Sequence, residues 1–359
     1  MNHQLFNRSH LHRLLTSAYT LCAAVLLLVG GQQTQAATPQ QALQAYLKAS
    51  NPGVTNAFGY CVGVSGDTAV VGAWQEGSST AGVNSTPNQL APDAGAAYVF
   101  VRSGTTWTQQ AYLKASNPKA GYNFGSSVAV SGNTVVVGAP FEASSSTGVN
   151  STPDESASGA GAAYVFVRSG TTWTQQAYLK ASNAGAGDSF GTSVGVAGDT
   201  VVVGASGEAS STSGVNSTPD DNLSGAGAAY VFVRSGTTWT EQAYLKASAP
   251  AFLDFFGTSV AVSGDSIVVG APFEDFSDSG AAYVFVRTGT TWSQQAYLKA
   301  GNAGANHYFG WSVAISTNTL VVGAYGEASS STGVNSTPNE SAAGSGAAYV
   351  FTRSGTTWS

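Results

Sequence analysis

The sequence predicts an all-β fold, a β-propeller of four-stranded antiparallel blades with five repeats visible. Three observations carry that expectation. Tyr-Leu-Lys begins at Tyr46, Tyr112, Tyr178, Tyr244 and Tyr297, at intervals of 66, 66, 66 and 53 residues, and a period of this size signals a solenoid, a propeller or an array. Phe-Gly keeps the same spacing at Phe58, Phe124, Phe190, Phe256 and Phe309, and Trp recurs at Trp107, Trp173, Trp239, Trp292 and Trp358, at intervals of 66, 66, 53 and 66. Within each unit, short alternating apolar runs are separated by Gly-containing turns, and no stretch has the helical period of about 3.6 residues.

The second unit shows the elements in order. Strand A is Ser127-Val128-Ala129-Val130, followed by the turn Ser131-Gly132-Asn133-Thr134, in which Gly and Asn are expected to supply positive φ. Strand B is Val135-Val136-Val137-Gly138. A Ser/Thr-rich insert, Ser144 to Pro153, comes next. The fourth unit lacks it, and an insert that can be deleted while its flanks persist reads as a surface loop. Strand C is Ala162 to Arg168, alternating and rich in β-branched and aromatic residues. After the turn Ser169-Gly170-Thr171, strand D runs from Trp173 to Lys180. Four antiparallel strands repeated with short turns describe a propeller blade.

Residues 1–36 stand apart. Arg8 and Arg13 precede an apolar run from Ala18 to Val29, and Gly30 to Ala36 then ends in small and polar residues. This is the pattern of a signal peptide cleaved after Ala36, with an uncleaved anchor as the rival, and the run is short against the roughly 20 residues of a membrane span. The domain reading is therefore 1–36 signal peptide and 37–359 propeller, with repeats near 46–111, 112–177, 178–243, 244–296 and 297–359. Export and a secreted or cell-surface location follow from that reading.

Composition excludes several classes. The chain is 43% hydrophobic and 9% charged, unlike a disordered chain. A net charge of −6 without a Lys/Arg cluster argues against nucleic acid as partner. Beyond residue 36 the sequence holds one Cys, Cys61, and one His, His307. One Cys makes no internal disulfide, and this pair alone makes no zinc site of the usual His/Cys kind. A Ser–His–Asp triad would have to use His307.

Phe124-Gly125, Val137-Gly138-Ala139-Pro140 and Gly161-Ala162-Ala163-Tyr164-Val165-Phe166 together resemble one FG-GAP repeat, the unit of the integrin-α N-terminal propeller and of many secreted bacterial proteins. The resemblance covers residues 46–359. The full Gly-Ala-Pro occurs at Gly138 and Gly270, and is replaced by Gly72-Ala73-Trp74, Gly204-Ala205-Ser206 and Gly323-Ala324-Tyr325 elsewhere. The resemblance implies binding or adhesion. Calcium-binding members carry Asp-x-Asp-x-Asp-Gly between strands A and B. Here that turn holds only Gly66-Asp67, Gly132-Asn133, Gly198-Asp199, Gly264-Asp265 and Thr317-Asn318. One carboxylate does not supply calcium's six to eight oxygens, so no metal and no cofactor is expected. The best-known relatives have seven repeats. Residues Gln40 to Lys48 match the second half of a strand D, and Thr356 to Ser359 match its first half. A closed five-blade ring and a piece of a larger propeller are both compatible with that.

The A–B and C–D turns share one face, and the B–C and D–A loops share the other. The long-loop face is the expected binding face. Glu76, Glu142, Glu208, Glu274 and Glu327 follow strand B in every unit. They read either as a carboxylate ring facing a ligand or as loop-holding hydrogen-bond acceptors. Phe252, Asp254, Phe255, His307, Tyr308, Trp74 and Trp311 break the repeat and are candidate ligand contacts, or else packing between blades. Cys61 replaces the Ser of Ser127, Ser193, Ser259 and Ser312 and reads as a small packing residue or a reactive thiol. Asn84, Asn150, Asn216 and Asn335 head glycosylation sequons, as do Asn222 and Asn339, within inserts that read by default as low-complexity linker. The functional expectation is an exported, non-enzymatic binding or adhesion propeller recognising an extracellular protein or glycan. The rival is a secreted propeller glycoside hydrolase or lyase that uses loop carboxylates.

Overall fold

The computed structural model describes residues 43–359, so the signal-peptide segment lies outside the described residues. Residues 45–359 form one compact unit. It contains five four-stranded sheets, each with its strands in chain order and antiparallel. In the second sheet strand A is Ser127–Ser131, B is Thr134–Ala139, C is Ala162–Ser169 and D is Thr172–Leu179. These match the sequence reading to within a residue or two. In the A–B turn only the Gly adopts positive φ (Gly132, 55°), because its partner position needs none. The fifth repeat puts Thr317 there at φ 52°.

Alternation drives the packing. In strand B of the second, third and fourth sheets every residue is buried, because both faces are covered by neighbouring sheets. The core lies between sheets. Val70, Val99 and Leu113 of the first pack on Val135, Val137 and Tyr164 of the second, and the same pairing recurs at each junction as far as the fifth. The Phe of each Phe-Gly sits in these layers against the strand-C aromatics, as in Phe124 with Tyr164 at 5.3 Å and Phe166 at 6.1 Å.

Two further contacts stitch adjacent sheets. The Ser at the start of strand A donates to the Phe-Gly carbonyl of the next sheet (Ser127 Oγ to Gly191 O, 2.8 Å; Ser193 to Gly257, 2.8 Å; Ser259 to Gly310, 2.7 Å). Cys61 makes the same bond to Gly125 O at 3.2 Å. Burial pushes its thiol up to about 12, so it serves as a packing residue and not as a reactive thiolate. The strand-D Trp donates to a Gln of the preceding sheet, as in Trp173 Nε1 to Gln110 at 2.7 Å and Trp239 to Gln176 at 2.8 Å.

Ring closure is not seen. Val350 of the fifth sheet is 63% exposed, where its counterparts Val99, Val165, Val231 and Val284 are fully buried. Residues 46–48 belong to no strand.

Candidate functional site

The A–B turn face is spent on structure. Its lone carboxylates bind the strand-C arginines: Asp67–Arg102, Asp199–Arg234 and Asp265–Arg287 each at 2.6 Å, with Asn133 and Asn318 accepting from Arg168 and Arg353. Each Arg in turn lies 5.1–5.7 Å over the strand-D Trp. Among the described residues no group of three or more His, Cys, Asp or Glu is placed to hold a metal.

On the long-loop face the five glutamates do not form a ligand-facing ring. Glu76, Glu142 and Glu208 are fully buried and Glu327 is 3% exposed. Glu76, Glu142 and Glu208 pair with the Lys of Tyr-Leu-Lys at 2.8, 2.9 and 2.8 Å (Lys114, Lys180, Lys246), and each Lys also donates to a Gly carbonyl. Two residues on, Ser78, Ser144 and Ser210 donate both their amide and their hydroxyl to the same carboxylate. The loop-holding reading was right about the backbone bond, and it missed the ion pair. Burial raises Glu76 and Glu208, but the charges of Lys114 and Lys246 and the serine bonds outweigh it, leaving both carboxyls lowered. Burial likewise draws Lys114, Lys180 and Lys246 down against the pull of their glutamates. A charge at such depth is tolerated only with this many partners.

The Ser/Thr inserts are tied down and are not slack linker. Asn84, Asn150 and Asn216, all at φ near 55°, accept the backbone N–H of Tyr112, Tyr178 and Tyr244 on Oδ1 at 2.9 Å. The sequon asparagines thus have a structural use, which also explains their left-handed backbone.

Two other expected ligand contacts are buried. His307 is 1% exposed, with Nε2 at 3.1 Å from Glu340. Asp254 is 2% exposed and accepts the Ala251 amide at 2.7 Å. Burial raises Asp254 to about 6, and the charges of Glu274 and Asp275 add to the rise. They and their counterparts Asn56, Tyr122 and Asp188 fill one buried position two residues before each Phe-Gly Phe.

The fourth and fifth repeats differ from the rest. With no insert over it, the fourth-repeat Glu274–Lys299 pair is partly open, and Lys299 also reaches Asp275 at 2.8 Å and Ser279 at 2.6 Å. Around it aromatic side chains crowd the face. Phe255 meets Phe273 at 5.4 Å, Phe273 meets Tyr308 at 5.2 Å, Tyr308 stacks on Tyr325 at 4.9 Å, and Trp311 meets Tyr325 at 4.7 Å. Phe252 is 64% exposed and Phe276 is fully exposed. A cavity of about 500 Å³ lies here, lined by Phe252, Leu253, Phe255, Phe273 and Phe276 with Asp254, Asp275 and Asp278. Phe255 and Tyr308 hold left-handed backbone, φ 51° and 55°, a strained conformation for bulky residues. Sequence reasoning found Phe252, Phe255, Tyr308 and Trp311 and missed Phe273, Phe276 and Tyr325. Phe276 was visible as the one break in Glu-x-Ser. Trp74 packs on Tyr60 at 5.8 Å, within the first repeat.

A profile for the FG-GAP repeat matches residues 42–100, 107–166, 173–232, 239–285 and 292–351. From the second on, each match starts in strand D of one sheet and ends in strand C of the next, so the family's unit straddles two blades. No curated protein matches the chain.

Proposed function

Because the chain belongs to the FG-GAP repeat family, a family of propeller domains often used for binding, we propose that it is an exported, non-enzymatic binding propeller. Its ligand is an extracellular protein or glycan, held on the long-loop face of the fourth and fifth repeats. One observation carries the reading: the aromatic strip from Phe252 to Tyr325, with its cavity, interrupts an otherwise uniform repeat. Exposed aromatics in contiguous patches are the usual anchors of a partner. The export reading rests on the leader-like residues 1–36. What weighs against a hydrolase is that four of its five candidate glutamates are buried among hydrogen-bonding and ionic partners. Glycosidases need two accessible carboxyls with separated acidities.

The test is an array of purified extracellular proteins and glycans, probed with the wild-type protein and with a Phe252→Ser/Phe276→Ser variant. Both side chains are exposed, so the thermal midpoint should hold while binding to at least one array member is lost. Equal binding by both proteins would place the ligand elsewhere, and release of cleaved sugar would favour the hydrolase.

A further inference from the structure

In four repeats the segment that enters the blade, from the second repeat on the tail of the preceding strand D, delivers an asparagine to the buried glutamate. The donor is Asn51, Asn117, Asn183 or Asn302, through Nδ2 to Glu76, Glu142, Glu208 and Glu327 at 2.9, 2.9, 2.9 and 2.7 Å. The same carboxamide accepts, on Oδ1, the hydroxyl of a strand-C tyrosine at 2.6 Å: Tyr98, Tyr164, Tyr230 and Tyr349. The fourth repeat has Ala249 at that position. Its tyrosine, Tyr283, is 1% exposed, and no asparagine stands there to accept from its hydroxyl. Glu274 has also lost its serine donor, because Phe276 stands where Ser78, Ser144 and Ser210 stand elsewhere, and keeps Tyr297 on Oε1 and Lys299 on Oε2. Ala249 is exposed, so the vacated place opens to solvent. The apolar cavity is its neighbour, since Ala251 and Asp275 line that cavity.

We propose that this vacated niche takes the side-chain carboxamide of an asparagine or glutamine from a peptide ligand, while a neighbouring bulky apolar residue of that peptide enters the Phe252–Phe276 cavity. The inference rests on the loop-face reading above and assigns its ligand class. A carboxamide has two N–H donors and one good acceptor on one planar group, which matches a carboxylate and a phenol side by side. The protein itself shows the fit four times over. The adjoining cavity is lined mostly by apolar side chains, Phe252, Leu253, Phe255, Phe273 and Phe276, beside Asp254, Asp275 and Asp278, which suits an aliphatic or aromatic side chain.

The experiment uses the soluble protein and short capped peptides, acetyl-Phe-Asn-Phe amide and its counterparts with Asp or Leu in the middle, together with N-acetylglucosamine. Binding is read by NMR shift titration up to about 10 mM, a range that captures weak fragments. The Asn peptide should bind about tenfold more tightly than the Asp or Leu peptide. Ala249→Asn, which restores the repeat's own side chain, should cut that affinity about tenfold while the thermal midpoint holds or rises. Tyr283→Phe, which removes only the phenol oxygen, should weaken the Asn peptide and leave the Leu peptide unchanged. No shift with any peptide, equal binding of all three, or Asn-peptide binding that survives Ala249→Asn would overturn the niche. An Ala249→Asn-sensitive response to N-acetylglucosamine alone would overturn the peptide class. If Phe276→Ser abolishes binding that Ala249→Asn leaves intact, the niche falls and the loop-face reading stands.

Discussion

Asp188 shows what one buried position does to the whole molecule. It is 5% exposed, and its carboxylate has the Gly185 amide at 2.7 Å as hydrogen-bond donor. Burial, with the charge of Glu208 adding to it, raises Asp188 to about 7. An aspartate in the unfolded chain titrates near 3.9. The folded state therefore holds the proton more tightly, and stability is gained as pH falls from about 7 toward 4. At pH 8 the buried, ionised side chain therefore costs stability, on the order of a few kcal/mol. Asp188→Asn keeps an acceptor for Gly185, and Asn56 already occupies the equivalent place in the first repeat. It should raise the thermal midpoint at pH 8 and change it little at pH 4. Equal shifts at the two pH values would contradict this account. The sequence marks the site only as a variable position, Asn, Tyr, Asp, Asp, His. Nothing in its pattern distinguishes a buried residue in an irregular loop from an exposed one, so Asp254 and His307 were read as ligand contacts.

At the scale of the strand, the ends of B and D in the first three blades are joined by one buried ion pair. Glu142 and Lys180 are both fully buried, at 2.9 Å, with Ser144 and Asn117 completing the carboxylate's shell. Lys180→Met leaves a buried carboxylate uncompensated and should cost about 3–5 kcal/mol. Adding Glu142→Gln should recover part of that loss, because the stranded charge is gone. Urea denaturation of the two variants measures the difference, and a double variant no more stable than the single one would contradict the pairing. The strands themselves were legible to within a residue or two, because alternation and glycine turns are local signals. The ion pair was legible too and was not read. Glu and Lys keep a fixed spacing of 38 residues in the first three repeats and 25 in the shortened fourth. A constant offset between opposite charges is the trace of a contact, although a charge is more often solvated.

At the scale of the molecule, repetition made the architecture readable: five units gave five sheets. The association of the fourth and fifth repeats into an aromatic face was not readable, because it depends on which irregular residues the sheets bring side by side. The uncovered fifth sheet makes a direct expectation. Val350 is 63% exposed and Val165 is fully buried at the equivalent point. Val350→Asp should change the unfolding free energy by no more than about 0.5 kcal/mol, whereas Val165→Asp buries an unpaired charge and should unfold the protein. Circular dichroism melts compare the two. A large loss from Val350→Asp would mean that this face is covered in solution.

The asparagine clasp described above has a mechanical consequence. The second, third and fifth blades are each held partly by a residue carried on the tail of the one before, so stability passes along the chain by nearest-neighbour coupling, as in a solenoid. The coupling is not uniform. Between the third and fourth blades the clasp is absent, since Ala249 reaches neither Glu274 nor Tyr283 with a polar group. Under force or in denaturant the molecule then behaves as two coupled segments, and the junction most ready to loosen is the one that borders the aromatic cavity.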